Sequence, residues 1–128
     1  MSRTITRLVA INTTRGVRLT ECGRIADTFY TRFVGLLHDK QLEYGDGIWL
    51  IPCNSIHSIG MKFPFDAIFL DRELRVVHLV HEMKHTRISK MVFAAKSVLE
   101  VPAGHIFRTA TELGDQFEMR KEIFQISA

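Results

Sequence analysis

Cysteine, proline and long apolar runs are all scarce in this chain. The two cysteines, Cys22 and Cys53, suit a reducing compartment, where a free thiol usually behaves as a small buried hydrophobe. Their spacing does not establish whether they approach closely enough to bridge. No apolar stretch nears the roughly 20 residues of a membrane span. Arg3 and Arg7 are followed only by the apolar run Leu8 to Ile11, shorter than the roughly 7–15 residues of a signal-peptide core. The expected location is therefore cytoplasmic. Internal repeats, low-complexity tracts and Pro/Ser-rich linkers are also missing, so residues 1–128 read as a single domain. A phosphate-cradling glycine loop is absent too, because Gly45-Asp46-Gly47 is a turn without the P-loop pattern. No recognised nucleophile motif occurs, which leaves catalytic residues unassigned.

What is present is an ordinary globular composition. With 46% hydrophobic residues, a chain of this size hides roughly two-thirds of its extended surface and needs no metal or disulfide to form a core. The net charge of +3 favours solubility without itself indicating a nucleic-acid partner. Basic residues do concentrate at Arg3, Arg7, Arg15, Arg18, Arg24, Arg32 and Lys40, and again at Lys84, Arg87, Lys90 and Lys96. No aromatic residues interleave them as a single-strand platform would require, so a solvated face is the simpler reading and nucleic acid is disfavoured.

Periodicity then places the elements. Thr4 to Asn12 reads as a strand, Thr13 to Gly16 as a turn and Val17 to Glu21 as the returning strand of a hairpin. A helix is predicted over Thr28 to His38, from the spacing of Phe29, Phe33, Leu36 and Leu37 and a cap at Asp27 or Thr28, with Gly35 inside it. Ile48 to Ile51 is a short buried strand closed by Pro52. Asp66 to Asp71 and Leu74 to Met83 form an antiparallel pair joined at Asp71-Arg72-Glu73. Val98 to Val101 is a strand ended by Pro102, with a turn or short helix beginning at Ala103-Gly104. Leu113-Gly114-Asp115 is a tight turn before a final strand from Gln116 to Ile126. The expectation is an α+β domain, predominantly β: a small curled or barrel-like, mostly antiparallel sheet with one or two short helices.

Three blocks carry a family resemblance. They are Arg32-Phe33-Val34-Gly35-Leu36-Leu37, the run from Ile56 to Asp71 containing Met61-Lys62-Phe63-Pro64-Phe65-Asp66, and Val98 to Gly104 with Gly114-Asp115. In this order and spacing they resemble domain-of-unknown-function family 192, over about residues 31–117. The resemblance implies membership of an uncharacterised conserved family and brings no agreed activity, cofactor or catalytic residue. The chain departs from the family pattern at His57-Ser58-Ile59-Gly60-Met61 and at Met83 to Arg87. Relatives often carry an export signal.

The residues with chemical potential gather on one loop. Cys53, His57 and Met61 are the soft donors that suit copper, although a blue-copper site also needs a second histidine that His38, fifteen positions upstream within the predicted helix, is badly placed to supply. The plainer alternative is that Cys53 and Met61 are core residues and His57 a hydrogen-bonded loop histidine. His78, His81 and His85 form a second group, but strand alternation sends His78 and His81 to opposite faces unless a bulge intervenes. Asp66, Asp71 and Glu100 are candidate acid–base groups. Asp66 can instead accept backbone N–H bonds, and Glu100 can pair with Arg32. The leading reading is a small binding or accessory module whose ligand site is formed by Arg32, His57, Asp66 and Glu100 around the 53–66 loop. A metal protein or small enzyme using Cys53, His57 and Met61 is the alternative. The partner is a small ligand or another protein, and the cofactor is open.

Overall fold

A computed structural model describes residues 2–37, 39–84 and 87–127, with Phe29 described by its backbone alone. Among these residues the order is β1 (Ser2–Asn12), β2 (Val17–Arg18), β3 (Arg24–Ala26), α1 (Phe29–Val34), β4 (Ile48–Leu50), β5 (Phe65–Leu70), β6 (Val76–Met83), β7 (Ser97–Pro102), α2 (His105–Arg108) and β8 (Phe117–Ser127). The strands form a three-stranded sheet, β2-β1-β8, and a five-stranded sheet, β3-β4-β7-β5-β6. Only the β3–β4 pair is parallel. The fold is α+β and predominantly β as expected, in two sheets that do not close into one barrel.

Register explains how the five-stranded sheet is buried on both sides. Residues directly opposite one another across a ladder share a face, and successive residues on a strand alternate faces. One row runs Arg24, Ile48, Glu100, Ala67, Val80 and its neighbour runs Ile25, Trp49, Leu99, Ile68, Leu79. The first row lies on the face that packs Leu36, Ile56, Met61, Ala95 and Phe69 into one core cluster. The second lies on the face covered by Leu8, Ala10, Ile106 and Phe117 from the smaller sheet and α2. All six residues of β5 and of β7 are consequently buried.

Several predicted boundaries shift for local reasons. The helix at residue 28 is shorter than its apolar spacing implied. Thr28 accepts from the Thr31 amide at 3.0 Å and the Thr31 hydroxyl accepts from the Thr28 amide at 3.0 Å, a reciprocal cap. Gly35 then ends the helix at φ 48 and ψ −120, a backbone state that a Cβ opposes. Gly35 is thus the terminator rather than an interior residue. Phe33, counted as part of the apolar face, is 61% exposed. His38, the last residue of the predicted helix, lies outside the described residues. The return strand at Val17 pairs only through Arg18 before the chain turns away, and β3 is three residues long, too short for periodicity to reveal.

α2 shows how tertiary structure can replace a local cap. Its N-cap is Gly104, which offers no side chain. The Asp66 carboxylate supplies the missing acceptor, taking the Ile106 amide at 2.8 Å and, with its other oxygen, the Glu82 amide at 2.8 Å. Glu82 sits at φ 46, where the β5–β6 ladder loses register between Phe65 and Ala67. One buried carboxylate therefore ties a bulge in β6 to the start of α2. Among the described residues, no helix is long and apolar enough to cross a membrane.

Candidate functional site

A cavity of about 420 Å³ opens between α1, the loop after β4 and one face of the larger sheet. That volume falls within the usual range for small-molecule sites, roughly 300–1,000 Å³. Leu36, Leu50, Ile56 and Met61 give it apolar walls, while Arg32, Cys53, His57 and Glu100 are its polar lining. Five of the residues singled out from the sequence therefore meet here: Arg32, Cys53, His57, Met61 and Glu100.

Glu100 is the chemically unusual member. It sits in the centre of β7 with 4% of its surface exposed. Its row neighbours on either side are Ile48 and Ala67, neither of which can bond it. Among the described residues nothing donates a hydrogen bond to its carboxyl, and the ion pair with Arg32 expected from sequence is not formed. Arg32 instead donates from Nη1 to the Pro52 carbonyl at 3.0 Å. Arg24, in the same row, is committed to Asp39 at 2.6 Å. Burial pushes the Glu100 carboxyl up to about 8, and the charge of Arg24 opposes the rise without cancelling it. Near neutral pH the group is mostly an uncharged acid, which is how a carboxyl without a counter-ion tolerates burial in mid-sheet.

His57 presents a buried unsatisfied atom. Its Nδ1 is buried without a hydrogen-bond partner among the described residues, and its ring lies 6.3 Å from that of Phe33. The exposed Phe33 thus borders the cavity beside the histidine instead of filling the core. Cys53 donates its thiol to the Ser55 carbonyl at 3.1 Å. Burial pushes this thiol up, which favours the form that neither attacks nor ligates. Cys53, His57 and Met61 all border the cavity, and Met61 is also a core residue. Among the described residues, no three His, Cys, Asp or Glu side chains group as metal ligands.

Asp66, named from sequence with Arg32, His57 and Glu100 as one site, stands elsewhere. Its register partner is Val101, one step from Glu100, so its side chain projects from the opposite face of the sheet. It is 0% exposed and both carboxylate oxygens hold backbone amides, as its alternative reading anticipated. Asp71, likewise, serves its turn by accepting from the Glu73 and Arg75 amides at 2.9 Å each.

The histidines of β6 show the bulge that simple alternation leaves out. His78 and His81 both border a second depression of about 310 Å³. His78 stacks edge-on against Phe69 at 5.1 Å, and burial together with Lys90 lowers its basicity. His85 lies outside the described residues. A buried histidine that sequence reading passed over is His105, whose Nε2 meets the Leu19 carbonyl at 3.0 Å. Arg24 was also missed as part of the Glu100 environment, because only the β3–β4–β7 register brings it into that row.

Comparison with known proteins agrees with the blocks quoted above. The family model described as Uncharacterized ACR, DUF192, matches residues 10–119. A UPF0127 protein of Thermococcus sibiricus is 33% identical over 117 residues, covering 88% of this chain and 75% of that protein. A UPF0127 protein of Pyrococcus furiosus is 31% identical over 118 residues, covering 88% and 99%. Among solved structures, a Novosphingobium aromaticivorans protein of unknown function superposes with a TM-score of 0.76 at 20% identity, covering 90% of this chain and 84% of its own. A Sinorhizobium meliloti protein titled a putative transcription regulator does so at 0.74 and 18%, covering 91% and 94%. At such identities the two structures speak to the fold alone, whereas the family match spans most of the sequence, and the chain belongs to the uncharacterised DUF192 family.

Proposed function

We propose that this protein is a small binding module that holds a small molecule in the cavity beneath α1, with Glu100, His57 and Arg32 as its polar contacts. The observation that carries this reading is the Glu100 carboxyl, buried in mid-sheet and facing a cavity, with no hydrogen-bond partner for its oxygens among the described residues. A buried polar group left unmatched costs about 1–3 kcal/mol, a cost that an occupant with a complementary group removes. The orphaned Nδ1 of His57 on the same lining supports the same conclusion. Cytoplasmic action accords with two free cysteines, one of them exposed.

The test is an amide-resolved NMR screen of the whole chain with a library of small fragments. The binding reading predicts hits whose shift changes centre on Gly35, Cys53, His57 and Glu100, and which vanish when Val34→Trp fills the cavity. Hits confined to the depression beside His78, or no hits at all, refute it.

A further inference from the structure

We infer that the occupant of this cavity is an organic amine, its ammonium group meeting the Glu100 carboxyl and its apolar stem lying against Leu36, Leu50, Ile56 and Met61. This rests on the cavity being a binding site and goes on to name the chemistry of the ligand.

Among the described residues, the groups around Glu100 leave its carboxyl unpaired. From β4 and β5 the neighbours are Ile48 and Ala67, which carry no charge. From β3 comes Arg24, whose guanidinium is already held by Asp39. From α1 comes Arg32, which donates to Pro52 and forms no ion pair with the carboxyl. From the loop comes Cys53, whose thiol is bonded to Ser55. At the end of α1, the point where a Cβ on Gly35 would stand is 3.7 Å from the Arg32 carbonyl oxygen and 3.9 Å from Glu100 Oε1. Two oxygens therefore border the same gap, and the Gly35 amide is already bonded to Thr31. Two acceptor oxygens at one gap are matched by a group that only donates. An ammonium carries three donors and no acceptor. Its charge also supplies the counter-ion that burial denies Glu100, so binding converts a neutral acid into a paired carboxylate and expels one proton. A neutral alcohol gains no such pairing, and a carboxylate meets the same two oxygens at this gap.

Calorimetric titration of the intact protein with hexylamine, hexanol and hexanoate tests the inference, repeated in buffers of differing ionisation enthalpy. Hexylamine is expected to bind best and to release close to one proton per molecule near neutral pH. Because only the ionised carboxyl pairs, its affinity should rise about fifty-fold between about pH 6 and pH 8 with the group titrating at about 8. Glu100→Gln, which places a neutral amide where a neutral acid stands, should remove both the proton release and the pH dependence. The wild-type proton count carries the test even if that variant folds badly. Hexanol binding as tightly as hexylamine, or hexanoate binding preferentially and failing in Arg32→Ala, overturns the amine inference while leaving a binding cavity. None of the three probes shifting the Gly35, Cys53 or Glu100 amides overturns both.

Discussion

Removing the Asp66 carboxylate should cost stability and leave the cavity untouched. The side chain is wholly buried and spans two backbone donors, Ile106 N and Glu82 N, at 2.8 Å each. Asp66→Ala strands the Ile106 amide in the interior, worth about 1–3 kcal/mol. The Glu82 amide is partly reachable by water and adds a smaller amount. Gly104, the N-cap of α2, brings no side-chain acceptor in its place. A loss of about 2–5 kcal/mol is expected, a large share of the roughly 5–15 kcal/mol that holds such a domain together. Asp66→Asn retains the shape but must point an amide N–H at one of two donors, so it should lose about 1–3 kcal/mol. Urea unfolding followed by the fluorescence of Trp49, the single tryptophan, reads both variants, with the slope unchanged and the midpoint lowered. The reasoning fails if both variants unfold at the wild-type midpoint. It fails more sharply if they keep that midpoint and lose ligand, since Asp66 would then belong to the binding site and not to the frame.

Three further outcomes follow from the same geometry. Glu100 titrates near 8 when folded and near 4.5 when exposed, so above the lower value the folded state holds a proton that the unfolded state has lost. Stability is full below that value and declines as pH rises through about 8, by up to about 5 kcal/mol at 1.36 kcal/mol per unit; Glu100→Gln should flatten this decline in unfolding curves measured across the range, and an unchanged decline would assign it to another group. Gly47→Ala should destabilise by about 1–3 kcal/mol through overpacking, because the added Cβ would stand 2.7 Å from Thr20 Cγ2 and 2.9 Å from the Glu100 carbonyl oxygen; a thermal midpoint equal to wild type would show that these neighbours yield freely. Addition of copper(II) should give no intense visible absorption, since the Cys53 thiol is bonded to Ser55 and burial disfavours its thiolate; strong colour that disappears in Cys53→Ser would restore the metal reading.

Much of the secondary structure was readable because it has local causes. Alternation in β5 and β6 and the tight connection at Asp71 follow from side-chain periodicity and turn chemistry. The elements that escaped are those with non-local causes. β3 is three residues held by pairing with β4. The β6 bulge depends on Asp66 capturing the Glu82 amide from a neighbouring strand. α1 stopped early because a glycine at its end left the helical backbone region, an event that apolar spacing does not record.

The site divided along the same line. Residue type and local clustering determined that Cys53, His57 and Met61 share one loop, and the Leu99-Glu100-Val101 pattern sufficed to turn Glu100 away from its neighbours. Only tertiary structure decided that Glu100 borders the cavity and Asp66 faces the other way. That choice depends on strand register: a one-residue step across the β5–β7 ladder sends a side chain to the opposite side of the sheet. Only tertiary structure decided, too, that Arg32 bonds Pro52 rather than Glu100. Sequence specifies which charges exist, whereas the three-dimensional path of the chain sets which of them meet, and here it left one buried carboxyl without an ion pair among the described residues.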